Sequence, residues 1–154
     1  MSGWTSLAVV MITILFAAVA LAWTRRRWIV VKVEGISMLP ALKHGDVILA
    51  RRCQGDKLCR GDIVLFSQPE ALSDLITRSG GGRISISGVL VKRVAATPGD
   101  AVPAEFVHAV TPGKVVPESR VIVSSDNDGL DSRIFGLLPY DRVLGMFIRQ
   151  LPRV

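Results

Sequence analysis

At 154 residues the chain has room for one folded domain once its apolar N-terminus is set aside, and its length excludes a second. Lys and Arg total 19 against 13 Asp and Glu, a formal net charge of +6 that suits nucleic acid or an anionic membrane surface. Three of the basic residues, Arg25, Arg26 and Arg27, adjoin the apolar segment. No basic and aromatic residues interleave as a base-stacking surface requires, so the membrane is the expected partner and nucleic acid is not.

From Trp4 to Trp23 the chain carries no charge and no proline and ends in aromatic residues suited to the two interfaces. A cleaved secretory signal needs a basic stretch before the apolar run and a small-residue cleavage site after it. Residues 1–6 hold no Lys or Arg, and the far side opens on three arginines and Trp28. The expected organisation is therefore a retained single-pass anchor with its basic flank over 1–27, followed by one folded domain over 28–154.

Past the anchor, Trp28 to Val33, Val47 to Ala50 and Ile63 to Phe66 read as strands rich in β-branched residues. The last two each follow a Gly-Asp pair, Gly45-Asp46 and Gly61-Asp62, and the device recurs at Gly99-Asp100. Glycine takes a positive φ and aspartate accepts from the neighbouring backbone, so these aspartates are expected in turns rather than in catalysis. Ala71 to Thr77 reads as a short helical turn and Ser79 to Gly82 as a loop. Further strands are expected at Arg83 to Ser87, Val89 to Ala95, Val115 to Val116, Arg120 to Val123 and Arg142 to Ile148. The soluble part is thus mainly β, a small coiled sheet or open barrel.

Cys53 and Cys59 flank a short loop between two expected strands, where either a disulfide or two free thiols is consistent with the spacing. A disulfide there would require an oxidising compartment. No second Cys pair or nearby His completes a metal site, and no cofactor is implied. His44 and His108 are the only histidines, and neither lies in an arrangement that recommends it as a base for a serine nucleophile.

That scarcity directs attention to lysine. A serine hydroxyl needs a base to take its proton, and lysine serves only where burial makes its neutral form accessible. Lys92 lies in the apolar run Val89-Leu90-Val91-Lys92-Arg93-Val94, sharing a strand face with Leu90 and Val94, while Arg93 points the other way with Val91. Ser37 follows a strand in Gly35-Ile36-Ser37-Met38-Leu39-Pro40. Gly35 permits close backbone approach and Pro40 stiffens the chain beyond, leaving the Ser37 amide to act as an oxyanion donor.

In order along the chain, these segments resemble the boxes of the type I signal peptidases, membrane-bound serine-lysine proteases that remove leader peptides. Gly35 to Pro40 resembles the nucleophile box, Gly61-Asp62-Ile63-Val64 the box after it, and Val91-Lys92-Arg93-Val94 with Gly99-Asp100 the general-base box. Ser125-Asp126-Asn127, then Asp131-Ser132-Arg133 and Gly136, resembles the last box. The resemblance implies a mainly β peptidase core in a compact, single-anchor branch, with Ser37 as nucleophile and Lys92 as general base. It also implies support from Gly35, Met38, Pro40, Arg93, Asp131, Ser132 and Arg133. Preprotein or leader-peptide substrates are implied, bound as an added strand with small side chains in apolar pockets; Met38, Leu90 and Ile84 to Ile86 are candidate lining. Oligomeric state is not implied.

Two positions depart from the pattern. The family usually has Gly-Asp-Asn, then a serine two residues before the aspartate that helps to position the lysine amine. Here Ser125 replaces the glycine, Gly129 replaces that serine, and the intervening loop is shorter, with Ser124 or Ser125 as the available substitute. Gly35 also stands where some members carry an oxyanion-hole serine. Orientation is contested: the family implies a catalytic domain on the outer face, whereas Arg25 to Arg27 favour the inner face. An inner-face enzyme would mature one cytoplasmic leader, as in relatives dedicated to a partner such as a nickel superoxide dismutase, and a catalytically silent anchored scaffold is the remaining alternative.

Overall fold

The computed structural model describes residues 2–68, 88–106, 110 and 114–152. The strand expected at Arg83 to Ser87, the helical turn at Ala71 to Thr77, the loop at Ser79 to Gly82, the lining segment Ile84 to Ile86 and His108 lie outside the described residues.

The chain opens with helix α1 (Ser2–Arg27), 26 residues, about 39 Å at 1.5 Å per residue. From Leu7 to Arg27 the helix is apolar and none of it is buried by the rest of the protein, so by length and composition it suits a membrane span or a signal sequence. At its C-terminal end the Arg27 guanidinium lies 4.2 Å from the centre of the Trp23 ring. The Arg27 carbonyl accepts the Arg52 N–H at 2.8 Å, which fastens the helix end to the sheet.

Seven strands follow: β1 (Trp28–Lys32), β2 (Val47–Arg51), β3 (Ile63–Ser67), β4 (Val89–Ala96), β5 (Arg120–Ser124), β6 (Leu138–Pro139) and β7 (Val143–Leu151). They form one open sheet in the order β1-β2-β7-β3-β4-β5-β6, with every neighbour antiparallel. The mainly β expectation holds, and five expected strands coincide with β1, β2, β3, β4 and β5. The last expected strand begins one residue later, as β7. Val115 makes only an isolated bridge to Ala101. Neither β6 nor the one-turn helix α2 (Ser132–Phe135) is anticipated by alternation, because each is too short to show a period. Pro139 sits in β6, the edge strand, where a missing N–H is tolerated.

Alternation along β3 packs both faces of the sheet. Val64 and Phe66 join Val94, Val121, Val123 and Leu138 in one core, whereas Leu65 joins Val33, Met38, Leu42, Ile48 and Ala50 in another. A third cluster, Ala96, Val102, Phe106, Val116 and Ile122, closes the end beyond β4.

The three Gly-Asp pairs build the same turn each time. Gly45, Gly61 and Gly99 have φ of 86°, 94° and 87°. Asp46, Asp62 and Asp100 each accept the backbone N–H three residues earlier, from Lys43, Cys59 and Thr97, all at 2.8 Å. Cys53 and Cys59 are free thiols, separated by the 3-10 turn Gly55–Lys57. Cys53 packs against the core of β3 to β5 while Cys59 is exposed.

Strand β7 passes close to β2: a Cβ on Gly145 would stand 2.7 Å from the Arg51 carbonyl oxygen. Backbone cannot yield as a side chain does, so Gly145→Ala is expected to destabilise the domain by about 1–3 kcal/mol. Urea unfolding at an unchanged midpoint would contradict that packing.

Candidate active site

Ser37 lies in the connection between β1 and β2. The ladder continues one step past the strands, with Val33 donating to Asp46 at 2.7 Å and Gly45 donating to Val33 at 2.8 Å. Beyond that neck the chain projects as a turn, anchored by Met38 and Leu42, each 2% exposed in the core, and by the bond from Leu42 N–H to the Met38 carbonyl at 2.8 Å. The Leu39-Pro40 bond is cis, and Pro40 itself is exposed. Gly35 has φ of 94°, and its N–H donates to His44 Nδ1 at 3.1 Å. A Cβ there would meet nothing within 4 Å, so glycine is required by the backbone and not by space. His44 is exposed and serves the turn.

Lys92 is 2% exposed, on a strand with neighbours on both sides. Its register partner on β3 is Val64, and Val94 shares its face in the core. Burial lowers its pKa to about 8; Asp131 and Asp126 oppose the shift and Arg133 reinforces it. The Nζ donates to Ser125 Oγ at 2.9 Å.

Gly129 joins the two segments. A Cβ built on it would lie 2.7 Å from Ser37 Cβ, 3.0 Å from Ser125 Oγ and 3.2 Å from Lys92 Nζ. Ser37 and Lys92, 55 positions apart in the chain, are thus neighbours across one glycine. The segment carrying Gly129 is also tied to the serine turn, because Asn127 N–H donates to the Ser37 carbonyl at 3.0 Å.

Four polar residues are buried among the described ones, Asp46, Lys92, Asp131 and Ser132, and three of them belong here. Asp131, fully buried, accepts the Ser125 N–H at 2.9 Å and caps α2 by accepting the Arg133 N–H at 3.0 Å. The Arg133 guanidinium grips the same carboxylate, with Nη2 at 2.6 Å from Oδ2. Burial alone would raise the Asp131 pKa, but Arg133 and the two backbone N–H groups hold it below the usual carboxylate range. Ser132 Oγ accepts the Val123 N–H at 2.9 Å, which fastens α2 to β5. Arg93, on the opposite face from Lys92, makes a two-point contact with Asp126 at 2.7 and 2.6 Å and donates to the Gly61 carbonyl at 2.9 Å.

A cleft runs between residues 31–38 and 89–92, with Gly35, Ser37, Met38, Leu90 and Lys92 in its lining. Among the described residues, β1 is paired only with β2, and β4 is paired with β5 only from Arg93 onward. The cleft is thus bordered by the outer edge of β1 on one side and by the start of β4 on the other. Among the expected supporting residues, Gly35 and Met38 line the cleft with Ser37 and Lys92, and Asp131 and Arg133 act on Lys92 through their charges, whereas Arg93 and Ser132 tie neighbouring segments together and Pro40 is exposed. Expectation left open the residue that meets the Lys92 amine, and it missed the roles of Asp126 and Asn127. Their only signal was membership of the last box, Ser125-Asp126-Asn127.

Residues 4–111 match the family model described as signal peptidase, peptidase S26. The matched stretch is more than half of the chain and takes in α1, the Ser37 turn and the Lys92 strand, so the chain belongs to the type I signal peptidase family. Membership makes it a peptidase hydrolase of the signal peptidase kind, acting on preproteins. No curated protein matches the chain.

The carboxylate of Asp131 has a pH signature. Its pKa is depressed in the folded state, so its contribution is complete above the unfolded value near about 3.9 and is lost as pH falls through the lower folded value. The stability difference between wild type and Asp131→Asn should be largest above about pH 5 and shrink below about pH 4. A difference independent of pH in denaturant titrations would contradict this.

Proposed function

We propose that the chain is a membrane-anchored serine endopeptidase that removes N-terminal signal or leader peptides, with residues 1–27 as anchor and basic flank and 28–154 as the peptidase domain. The observation that carries the reading is the buried Lys92 amine, set beside Ser37 across Gly129. A lysine in an apolar strand with a lowered pKa has a role as a base that an exposed lysine lacks.

The neutral Lys92 amine takes the Ser37 hydroxyl proton as the oxygen attacks the scissile carbonyl. The Ser37 N–H, which has no backbone acceptor among the described residues, faces the developing oxyanion. Lys92 then protonates the leaving amine, and in the second half takes a proton from the water that releases the acyl group from Ser37. The leader lies extended in the cleft as an added strand between β1 and residues 89–92, and Met38 and Leu90 border the pockets for its side chains.

The helix favours a membrane location. The catalytic domain is assigned to the outer face, where translocated preproteins emerge, against the charge of Arg25, Arg26 and Arg27. An impermeant maleimide should label the exposed Cys59 in intact cells; labelling only after lysis, with the thiol confirmed reduced, assigns the domain to the inner face and favours a dedicated cytoplasmic leader.

Ser37→Ala and Lys92→Ala are each expected to lower kcat on a leader-peptide substrate by at least about 100-fold. Equal turnover by all three proteins would refute this mechanism, and no turnover by the wild type would leave the silent-scaffold reading. Wild-type kcat/KM should rise with pH through about 8, because the ammonium form of Lys92 cannot accept the Ser37 proton. A flat profile from acid to alkaline pH contradicts the role of Lys92.

A further inference from the structure

Besides Ser37, three groups meet at one point in the site: the Lys92 amine, the Ser125 hydroxyl and the α-carbon of Gly129. We propose that Ser125 and Gly129 are a matched pair, in which the Ser125 hydroxyl orients the Lys92 amine toward Ser37 within space that only a glycine at 129 leaves open. The inference rests on the serine-lysine reading above and names the positioning residue for it.

A neutral amine has two N–H bonds and one lone pair, and it works as a base only if the lone pair points at the proton to be taken. Rotation about the last carbon–nitrogen bond of a lysine is otherwise free. Donation of one N–H to Ser125 Oγ at 2.9 Å sets that rotation and leaves the lone pair a defined direction.

The hydroxyl is itself held from both sides. The Ser125 N–H is bound by Asp131, which is fully buried and clamped by Arg133. The next residue, Asp126, is gripped at two points by Arg93, the strand neighbour of Lys92. The acceptor and the lysine are thus fastened to the same strand pair, β4 and β5, where Arg93 and Ser124 are register partners.

Gly129 is needed for a different reason from Gly35. Its φ lies outside the left-handed region, so its backbone would accept any residue. The obstacle is space: a Cβ would stand 2.7 Å from Ser37 Cβ, an atom fixed directly to the backbone, as well as 3.0 Å from the Ser125 hydroxyl. A side chain at 129 must push the nucleophile or the orienting hydroxyl out of place. Ser124, the residue before Ser125 and the last of β5, makes no such contact with Lys92 among the described residues, which makes it the internal control.

The test measures kcat, KM and the pH profile on a leader-peptide substrate for the full-length protein in detergent, with Ser125→Ala, Ser124→Ala, Ser37→Ala and Lys92→Ala. Ser125→Ala should lower kcat by about 10- to 100-fold with KM within about twofold, the scale of a misdirected catalytic group. Its acid limb should move to lower pH, because the lost oxygen accepts more strongly from the ammonium than from the neutral amine. Ser124→Ala should stay within about twofold of wild type. A kcat within about twofold for Ser125→Ala, or a loss with an unmoved acid limb, overturns the inference while leaving the serine-lysine reading intact. Full activity in Ser37→Ala or Lys92→Ala instead removes the reading on which the inference rests. Ser125→Thr and Ser125→Val, equal in shape, provide the same comparison should Ser125→Ala lack a cooperative thermal transition. Activity in the threonine variant alone supports the hydroxyl, and equal activity in both overturns it.

Discussion

Most of the polar architecture of this domain follows from one unfavourable event, the burial of the Lys92 amine. Taking an ammonium out of water is costly, and the protein answers by lowering its pKa and by surrounding it with partners that tolerate either protonation state. A hydroxyl suits that task because it accepts from both the ammonium and the amine, and Ser125 supplies it. The carboxylates of Asp131 and Asp126 act on Lys92 only through their fields, since each is committed to an arginine. A carboxylate directly paired with Lys92 would hold the ammonium and forbid its use as a base. The two ion pairs thus keep acidic groups near the amine while keeping them off it.

The register of β4 is what makes this burial certain. Lys92 opposes Val64 and precedes Val94 on the same face, so a slip of one residue would send Lys92 outward and Arg93 into the core. Arg93, aimed the other way, is not idle: through Asp126 and the Gly61 carbonyl it ties the last segment and a Gly-Asp turn to the lysine strand. Adjacent basic residues on opposite faces of one strand thereby take different environments, one buried beside Ser125 and one paired with Asp126. The openness of the sheet has a corresponding use, because closing β1 onto β4 would consume the strand edges that border the cleft.

Much of this was legible in the chain, and the legible parts share a property. The Gly-Asp turns, the alternation around Lys92 and the uncharged run from Trp4 to Trp23 are local, resting on φ preference, strand period and length. Even the one-turn helix after Asp131 carried a local signal, an N-cap aspartate and Gly136 with φ of 78°, although four residues show no period. What was not legible depends on distant contacts. Nothing near Gly129 distinguishes a glycine demanded by space from one demanded by backbone, because the atoms that crowd it belong to Ser37, Lys92 and Ser125. For the same reason adjacent Ser124 and Ser125 looked equivalent, and only the end of the β4–β5 ladder at Ser124 turns the following hydroxyl to the amine.

By itself the sequence determined the apolar helix, the mainly β character, the turns that start β2 and β3, and the candidate pair Ser37 and Lys92, since each depends on residue type and short spacing. The tertiary structure decided that Lys92 is buried, that Ser125 meets its amine, that Gly129 stands between lysine and serine, and that Cys53 packs on a core while Cys59 is exposed. These depend on which strand faces which, and strand pairing across 55 positions is set by the total fit of a sheet and its cores rather than by any one segment.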